Sequence, residues 1–224
     1  NSKSLDHRMQ STKGRIDVDF FKQWKPSMTY VLGYFCADGC MSTNSGGSKY
    51  LSFVSTDREL LEKVKYSLKS KHKIAIKKQS RPHCKRTFWL QIGSKEIYED
   101  LVTLGLVPNK ESRLKIPAVP PFYFKDFLRG YFDGDGCISF GHYQRKNRKS
   151  KILLLTVRFA SASLEFLKSV KERLKRVLRF KRGFITRSGG CHYLVYSKHD
   201  GLRLLSYLYN KMNGGLYLKR KYNK

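Results

Sequence analysis

A nine-residue stretch that occurs twice constrains the fold of this chain more than any other feature. It is Val-Leu-Gly-Tyr-Phe-Cys-Ala-Asp-Gly at residues 31–39 and Leu-Arg-Gly-Tyr-Phe-Asp-Gly-Asp-Gly at residues 128–136. In each copy an apolar run of helical character ends in an aspartate, followed by a glycine suited to a helix C-terminus. The duplication predicts two similar half-chains, each of which delivers one carboxylate, Asp38 or Asp135, at a helix end.

The segments that follow the two copies also repeat in their hydrophobic pattern. After each copy the pattern predicts a hairpin, a helix, a second hairpin and a third helix. In the first repeat, for example, Leu51 and Phe53 alternate with polar residues, and Asp57 is suited to cap the next helix. The predicted fold class is therefore α+β, with two pseudo-symmetric αββαββα repeats and antiparallel sheets.

Four segments follow from this pattern. They are an N-terminal arm (residues 1–25), a first repeat (26–109), a linker (110–121) and a second repeat (122–224). The arm is polar at first, and its apolar end at residues 20–24 is expected to dock on the body. Pro117, Pro120 and Pro121 exclude regular structure from the linker. Ser27 is the expected N-cap of the first motif helix.

Small residues on the two motif helices predict that these helices pack against each other. Gly33 and Gly130 occupy the same position in the two copies, and each is followed four positions later by alanine or glycine. Small residues one turn apart let two helices approach closely. Together with the repeat, they predict contact across a pseudo-twofold axis, with the two motif aspartates meeting near that axis.

The charge of the chain predicts a polyanionic partner. Lysine and arginine number 46 and aspartate and glutamate 17, so the formal net charge is +29, and the basic residues extend from end to end. A folded surface this basic usually faces nucleic acid. A membrane partner is disfavoured, because the sequence lacks a long amphipathic anchor and any apolar run of the roughly 20 residues that span a bilayer.

Two further features predict a soluble protein in a reducing compartment. The N-terminal stretch lacks the apolar core of a signal peptide. The five cysteines are odd in number and none lies in a CxxC pair, which favours free thiols over disulfides or a zinc site. We expect an intracellular protein of an organelle (mitochondrion or chloroplast) or of the prokaryotic cytoplasm, and the sequence does not distinguish these.

The two motif aspartates predict a metal site. Two carboxylates brought together beneath a basic surface can hold hard divalent cations, which activate water near a phosphodiester. An aspartate at a helix C-terminus faces the negative end of the dipole and is disfavoured unless a cation compensates it. Asp38 and Asp135 are therefore predicted metal ligands. Asp133 has Cys36 as its counterpart, so we expect it to pack or to form a helix-end hydrogen bond rather than to bind metal.

Residues 31–39 and 128–136 resemble the two motifs of a single-chain LAGLIDADG homing endonuclease, and the second matches more closely. The first departs from the pattern at Leu32, where the family prefers a small residue, and at Cys36. The resemblance implies that the eighth motif position, Asp38 and Asp135 here, binds the catalytic metal. It also implies a monomer whose two sheets form a saddle on double-stranded DNA, with the two motif helices packed at its centre.

The same resemblance implies an activity. It is Mg²⁺-dependent double-strand cleavage across the minor groove, leaving 3′ overhangs, at a long and nearly asymmetric target; Mn²⁺ is expected to substitute and Ca²⁺ to support binding only. Such enzymes are usually encoded within introns or inteins, which they make mobile. Family members also place a basic residue near the scissile phosphates just after the last helix of each half, and this pattern implies Lys110 and Lys219.

Strand alternation predicts the residues that face DNA. If one face of each strand packs on helices, the alternate residues point away from them. Arginine and glutamine can then bond base edges, and lysine more often meets phosphate. The residues selected in this way are Ser42, Asn44, Ser52, Lys77, Gln79, Gln91, Ser139, Tyr143, Arg145, Thr156 and Arg158. The basic hairpin tip at residues 144–151, which includes Arg148, is predicted to contact phosphates.

Two other functions stay open at this point. An RNA-binding maturase that helps its host intron to fold can have the same architecture, and salt-dependent binding to intron RNA in preference to duplex DNA would favour it. A cleavage-inactive DNA-binding regulator is the other alternative, and the presence of both Asp38 and Asp135 argues against it.

Overall fold

The structure, a computed structural model, describes residues 16–77, 85–144, 151–210 and 215–223. The first repeat contains α1 (Pro26–Asp38), β1 (Gly39–Thr43), β2 (Lys49–Ser55), α2 (Arg58–Ser67), β3 (Ile74–Lys77), β4 (Thr87–Gly93) and α3 (Lys95–Thr103). The second contains α4 (Phe124–Asp135), β5 (Gly136–Gln144), β6 (Lys151–Ser161), α5 (Leu164–Leu178), β7 (Phe184–Ser188), β8 (Cys191–Ser197), α6 (Lys198–Tyr209) and α7 (Lys219–Tyr222). The predicted order is confirmed, and α7 is an addition that the sequence analysis did not contain.

Each repeat forms its own antiparallel sheet of four strands. The strand orders, β1-β2-β4-β3 and β5-β6-β8-β7, are the same in the two repeats. Leu51 and Phe53 of β2 are buried, as are Val157 and Phe159 of β6, on the face that the helices cover. The α+β prediction with two pseudo-symmetric repeats is therefore confirmed, and the alternate residues of every strand lie on the opposite face.

The helix starts follow local capping chemistry, with one difference from the prediction. The Asp57 carboxylate accepts a hydrogen bond from the backbone amide of Leu60 at 3.0 Å, as expected of the N-cap of α2. Ser27 is not an N-cap. The N-cap of α1 is Lys25, because Pro26 itself occupies the first helical position, where its fixed φ and missing N–H are tolerated.

The two motif helices, α1 and α4, pack backbone to backbone. A Cβ atom added at Gly33 would overlap the carbonyl oxygen of Phe127, and one added at Gly130 would overlap that of Tyr30. These two contacts are equivalent under exchange of the repeats, which places the pseudo-twofold axis between the helices. The predicted close approach through glycine is confirmed.

The glycines that follow the motif helices serve a different purpose from the one predicted. Gly39 and Gly136 both have φ of −88°, which any residue adopts, so they do not form left-handed caps. A Cβ at Gly39 would instead overlap the ring of Phe35, and one at Gly136 would overlap that of Phe132. Glycine is required there because the aromatic ring of the preceding turn lies against the backbone.

The arm and the linker are both fastened to the body where the structure describes them. Ile16 and Phe21 belong to the buried core, so the predicted docking of the apolar end of the arm is confirmed. In the linker, Leu114 and Val119 are buried, and the Ser163 hydroxyl donates to the Leu114 carbonyl at 2.7 Å. Pro121 does not exclude regular structure as predicted, because it begins a 3-10 turn, Pro121–Tyr123, ahead of α4, where a proline is tolerated at the first position.

The described part of the chain contains neither a disulfide nor a helix long and apolar enough to cross a membrane. Cys36 is a buried free thiol, Cys191 is half-buried, and Cys40 and Cys137 are exposed. Cys84 lies outside the described residues.

Candidate active site

Asp38 and Asp135 are the last residues of α1 and α4, and the structure brings them to one place. A Cβ at Gly134 would contact the Ala37 side chain and would lie 3.1 Å from the Asp38 carboxylate. The end of α1 therefore lies directly against the end of α4. Both aspartates are partly exposed, so solvent and a bound molecule can reach them.

The electrostatics of the two carboxylates favour a bound cation. Burial and, after it, the negative charge of Asp135 raise the pKa of Asp38 to about 6. Burial also raises the pKa of Asp135, and the positive charges of Lys221 and Lys110 offset part of the rise at both aspartates. The donor set consists of carboxylate oxygens near carbonyl-rich helix ends, and hard divalent cations prefer such oxygen ligands. The residues present fit a divalent metal ion.

Lys110 lies near the first carboxylate, as the family resemblance implied. Its side chain is buried, and its ammonium group donates to the carbonyl of Gly39, the residue after α1. The same nitrogen lies 5.6 Å from the centre of the Phe35 ring. A cation here is favoured by the negative end of the α1 dipole as well as by Asp38.

Lys219 does not lie with the carboxylates, so that assignment needs correction. Its side chain is exposed and pairs with Glu59 of α2 at 2.9 Å. The lysine that the structure places at the site in the second repeat is Lys221, which is buried. Leu218 is also buried, and in a helix the residue three positions later lies on the same side, so Lys221 turns inward with it. The sequence alone carried no signal that separates Lys221 from Lys219.

Lys221 covers the C-terminal end of α4. Its ammonium group donates to the carbonyl oxygens of Phe132, of Asp133 at 2.9 Å and of Gly134 at 3.3 Å. Burial lowers its pKa to about 8, although the nearby carboxylates of Asp133, Asp38 and Asp135 act in the opposite direction. Burial therefore makes this ammonium group more acidic than that of an exposed lysine.

Asp133 lies two positions before the end of α4 and is 1% exposed. It accepts hydrogen bonds from the hydroxyl groups of Tyr30 and Tyr209, each at 2.6 Å, and from the backbone amide of Leu218 at 2.8 Å. Burial raises its pKa, and these three donors oppose the rise. The prediction that Asp133 packs and forms hydrogen bonds is confirmed.

In the first repeat, four of the predicted DNA-facing residues share the sheet face that points away from the helices. Ser52 pairs in register with Cys40 on one side and Gln91 on the other. Ser42 and Lys77 have the same parity on β1 and β3. Asn44 differs, because it lies in the turn after β1, where its side-chain oxygen accepts from the Ser48 amide at 2.8 Å.

In the second repeat, the corresponding face carries Ser139, Tyr143, Thr156 and Arg158. Ser139 pairs with Thr156, and Arg158 pairs with Cys137, whose sulfur lies 3.5 Å from the guanidinium group. Gln79, Arg145 and Arg148 lie outside the described residues. The sequence analysis did not select the aromatic residues of these faces, Tyr50, Trp89 and Tyr193, although the same alternation points to them.

Comparison with known proteins agrees with this architecture. A LAGLIDADG-like domain family matches residues 25–104 and 125–208, one segment in each repeat. No curated protein matches the chain. I-SmaMI bound to an uncleaved DNA target in the presence of calcium ions is 15% identical, with 86% of each chain covered and a TM-score of 0.57. I-LtrWI bound to target DNA is 14% identical, with 92% of this chain and 89% of that chain covered and a TM-score of 0.57.

A third similar structure, I-AabMI bound to uncleaved DNA, is 15% identical, with 82% of this chain and 83% of that chain covered and a TM-score of 0.54. At these identities the likeness establishes the fold, a two-repeat saddle, and the family match covers most of the sequence in two segments. The chain therefore belongs to the LAGLIDADG family, in the single-chain form with two motifs.

Proposed function

We propose that this protein is a site-specific double-strand DNA endonuclease of the homing type. It hydrolyses phosphodiesters with a divalent metal ion at a long, nearly asymmetric target and leaves 3′ overhangs. In this proposal the gene lies within an intron or intein, which the cleavage makes mobile. The protein acts as a monomer, because the two repeats of one chain supply both halves of the site.

The observation that carries this proposal is the meeting of Asp38 and Asp135 at the ends of two packed helices. Strands β1 and β5 begin at the next residues, Gly39 and Gly136, and lead into the polar faces of the two sheets. A duplex that follows both sheet faces must therefore pass over the two carboxylates. Symmetric placement of one carboxylate for each repeat suits the cleavage of two strands.

Asp38 and Asp135 would hold the metal, which we propose to be Mg²⁺, with Mn²⁺ as a substitute and Ca²⁺ supporting binding alone. When bound, a divalent ion stabilises charge on a phosphodiester and lowers the pKa of coordinated water. Lys110 and Lys221 place a positive charge on each side of the carboxylates. Either ammonium group can offset charge that develops on the phosphate or orient the attacking water.

DNA binding is supported by charge and by the similar proteins. I-SmaMI and I-LtrWI, which share the fold, are bound to DNA in their structures. The net charge of +29 and the polar sheet faces suit a long duplex. Because many lysines and arginines would release counterions on binding, we expect affinity to fall steeply as salt rises. A shallow salt dependence would argue against the extended interface.

The test is cleavage of a randomised duplex library in Mg²⁺, followed by sequencing of the cut ends. The variants are Asp38→Asn, Asp135→Asn and Lys221→Met, with Lys219→Met as the matched control, and binding is measured in Ca²⁺. We expect cuts at one long motif, lost in both aspartate variants and slowed in Lys221→Met but not in Lys219→Met. Specific binding should persist in all four variants.

Other outcomes identify the alternatives. Tight, specific duplex binding by the wild type without any cutting would indicate a cleavage-inactive regulator. Preference for a structured intron RNA over duplex DNA at the same salt concentration would indicate a maturase. Cutting that survives both aspartate substitutions would exclude these carboxylates as the metal ligands.

A further inference from the structure

We propose that Asp133 is a positioning residue that holds Lys221, and not Lys110, beside the carboxylates. Cleavage of one DNA strand should therefore depend on Asp133, and cleavage of the other should not. The strand selectivity rests on the proposed endonuclease function, whereas the anchoring of the C-terminal segment does not.

The Asp133 carboxylate joins three elements of the structure. Tyr30 belongs to α1, Tyr209 is the last residue of α6, and Leu218 is the residue from which α7 starts. All three donors lie within 2.6 to 2.8 Å of its oxygens. Asp133 therefore fixes both the end of α6 and the start of α7 to the motif helix that ends at Asp135.

The short helix α7 depends on this attachment. It contains only the four residues Lys219–Tyr222, and a helix so short has almost no stability of its own. The bond from the Leu218 amide to Asp133 lies at its N-cap, and Lys221 follows within the same turn. Loss of that bond should let the whole turn move and should draw the ammonium group away from the carbonyls of α4.

Among the described residues, the first repeat shows no equivalent of this attachment. Cys36 occupies the position of Asp133, and a buried thiol is a weak acceptor that cannot replace a carboxylate with two oxygens. The segment around Lys110 is held instead by the buried side chains of Leu106 and Leu114 and by the bond from Ser163 to the Leu114 carbonyl. Removal of the Asp133 carboxylate should therefore leave Lys110 in place.

The substitution Asp133→Asn keeps the size of the side chain but removes its charge and turns one acceptor oxygen into an NH2 donor. One tyrosine hydroxyl must then accept instead of donate, and the bonds that remain are no longer charge-assisted. Cleavage rates are measured separately on the two strands of a labelled target duplex. Lys221→Met and Lys110→Met show which strand depends on each lysine. We expect Asp133→Asn to slow the Lys221-dependent strand by about 10- to 100-fold, as small misplacements of an active-site group do. The other strand should change by less than about twofold, so nicked DNA accumulates.

A second measurement reports the anchoring without any cleavage. Hydrogen exchange followed by mass spectrometry should show faster exchange in residues 215–223 of Asp133→Asn and unchanged exchange in residues 104–116. Tyr209→Phe removes one of the three bonds and should shift both readouts in the same direction by less, which keeps the test available if Asp133→Asn does not fold. Thr29→Val is the matched control, because it removes a buried hydroxyl of α1 that bonds the Lys25 carbonyl and not Asp133.

Equal slowing of both strands by Asp133→Asn would overturn the proposal, as would equal slowing by Lys221→Met. Unchanged exchange in residues 215–223 would also overturn it. If the wild type cuts neither strand, the endonuclease function fails. The exchange comparison then decides the anchoring by itself, with faster exchange in the C-terminal segment expected.

Discussion

The two motif helices have the same backbone course but different surroundings. Each helix has one glycine where the two helices cross and one aspartate at its C-terminal end. Two buried positions differ in polarity. Leu32 and Cys36 make the inner part of α1 apolar, whereas Arg129 and Asp133 give α4 a buried guanidinium group and a buried carboxylate.

The difference shows which features both repeats need and which serve one repeat alone. The glycine at the crossing of each helix lets the two helix ends approach each other. Both glycines are therefore needed for the two carboxylates to meet. Arg129 and Asp133 instead attach α4 to the C-terminal part of the chain. Arg129 donates to the carbonyls of Leu208 at 3.3 Å and Leu216 at 3.0 Å, and pairs with Asp126 at 2.5 Å. The second repeat therefore relies on buried polar contacts where the first relies on apolar packing.

The largest effect should come from the shared glycines, and it should be equal in the two repeats. Gly33→Ala and Gly130→Ala each drive a methyl group into a carbonyl of the facing helix, where neither backbone can yield. We expect each to cost more than about 4 kcal/mol or to prevent folding, as severe core overpacking does. Urea unfolding is the measurement. Gly141→Ala, which has nothing within 4 Å, is the control and should change stability by less than about 0.5 kcal/mol.

A clear inequality between these two substitutions would contradict the symmetric crossing. If Gly33→Ala were tolerated and Gly130→Ala were not, the pseudo-twofold axis would not run between equivalent glycines. The two helix ends would then have to be held together mainly by contacts elsewhere.

The next largest loss of stability should occur in the second repeat and not at the equivalent position of the first. Arg129→Met leaves Asp126, whose side chain is 18% exposed, without its partner and two carbonyls without a donor. Removing one partner of a buried ion pair costs about 3 to 5 kcal/mol. Leu32→Met places the same new residue at the equivalent position of α1 and should cost less than about 1.5 kcal/mol, because it conserves volume and polarity. Chemical unfolding of both variants measures the difference.

A double variant sharpens this result. Arg129→Met together with Asp126→Asn removes both charges and should recover part of the lost stability. If the double variant is no more stable than Arg129→Met alone, the cost lies in the two carbonyls and not in the Asp126 carboxylate.

Local signals in the sequence predicted most of the fold. Hydrophobic periodicity, the cap at Asp57 and the paired glycines each act within a few residues, so the order of elements and the meeting of Asp38 and Asp135 followed from them. The misses depend on tertiary structure. Lys219 and Lys221 differ in the sequence only by position, and the attachment of Leu218 to Asp133 decides which of them turns inward.

Two smaller predictions were wrong because another local interaction was preferred at the same turn. Asn44 continues the strand alternation in the sequence, but its side-chain oxygen closes the turn instead, which is a common use of asparagine. Ser27 is a good cap by residue type, yet the proline before it fixes an earlier start. In both cases two local preferences compete within one turn, and the prediction followed the one that the structure does not use.

In contrast to the glycine and arginine substitutions, removal of the Asp38 charge should raise the stability of the protein moderately. The pKa of Asp38, about 6 in the folded protein, lies above the usual value of about 4 in an unfolded chain. The folded state therefore binds its proton more tightly, so stability falls as pH rises from about 4 to about 6. Without divalent ions, Asp38→Asn should stabilise the protein by about 1 to 3 kcal/mol at pH 8 and have little effect below pH 4.

Thermal unfolding in a chelating buffer at the two pH values measures this effect. Tyr209→Phe serves as the contrasting variant, because loss of its buried hydrogen bond to Asp133 should destabilise the protein at pH 8. Loss of stability in Asp38→Asn at pH 8 would mean that its charge is already compensated by the lysines, and the argument for a cation at the site would weaken.

The smallest effect should be that of Lys219→Ala. This lysine pairs on the surface with Glu59, which also pairs with Lys63 at 3.1 Å, so one partner remains after the substitution. Exposed ion pairs are weak and screened by salt, and we expect no measurable change in melting temperature. Strand cleavage should also persist, in contrast to Lys221→Met, and a time course on a labelled duplex compares the two. Loss of cleavage in Lys219→Ala alone would reverse the assignment. Lys221 would then be a structural cap of α4, and the side chain that acts on the phosphate would have to leave Glu59 when DNA binds.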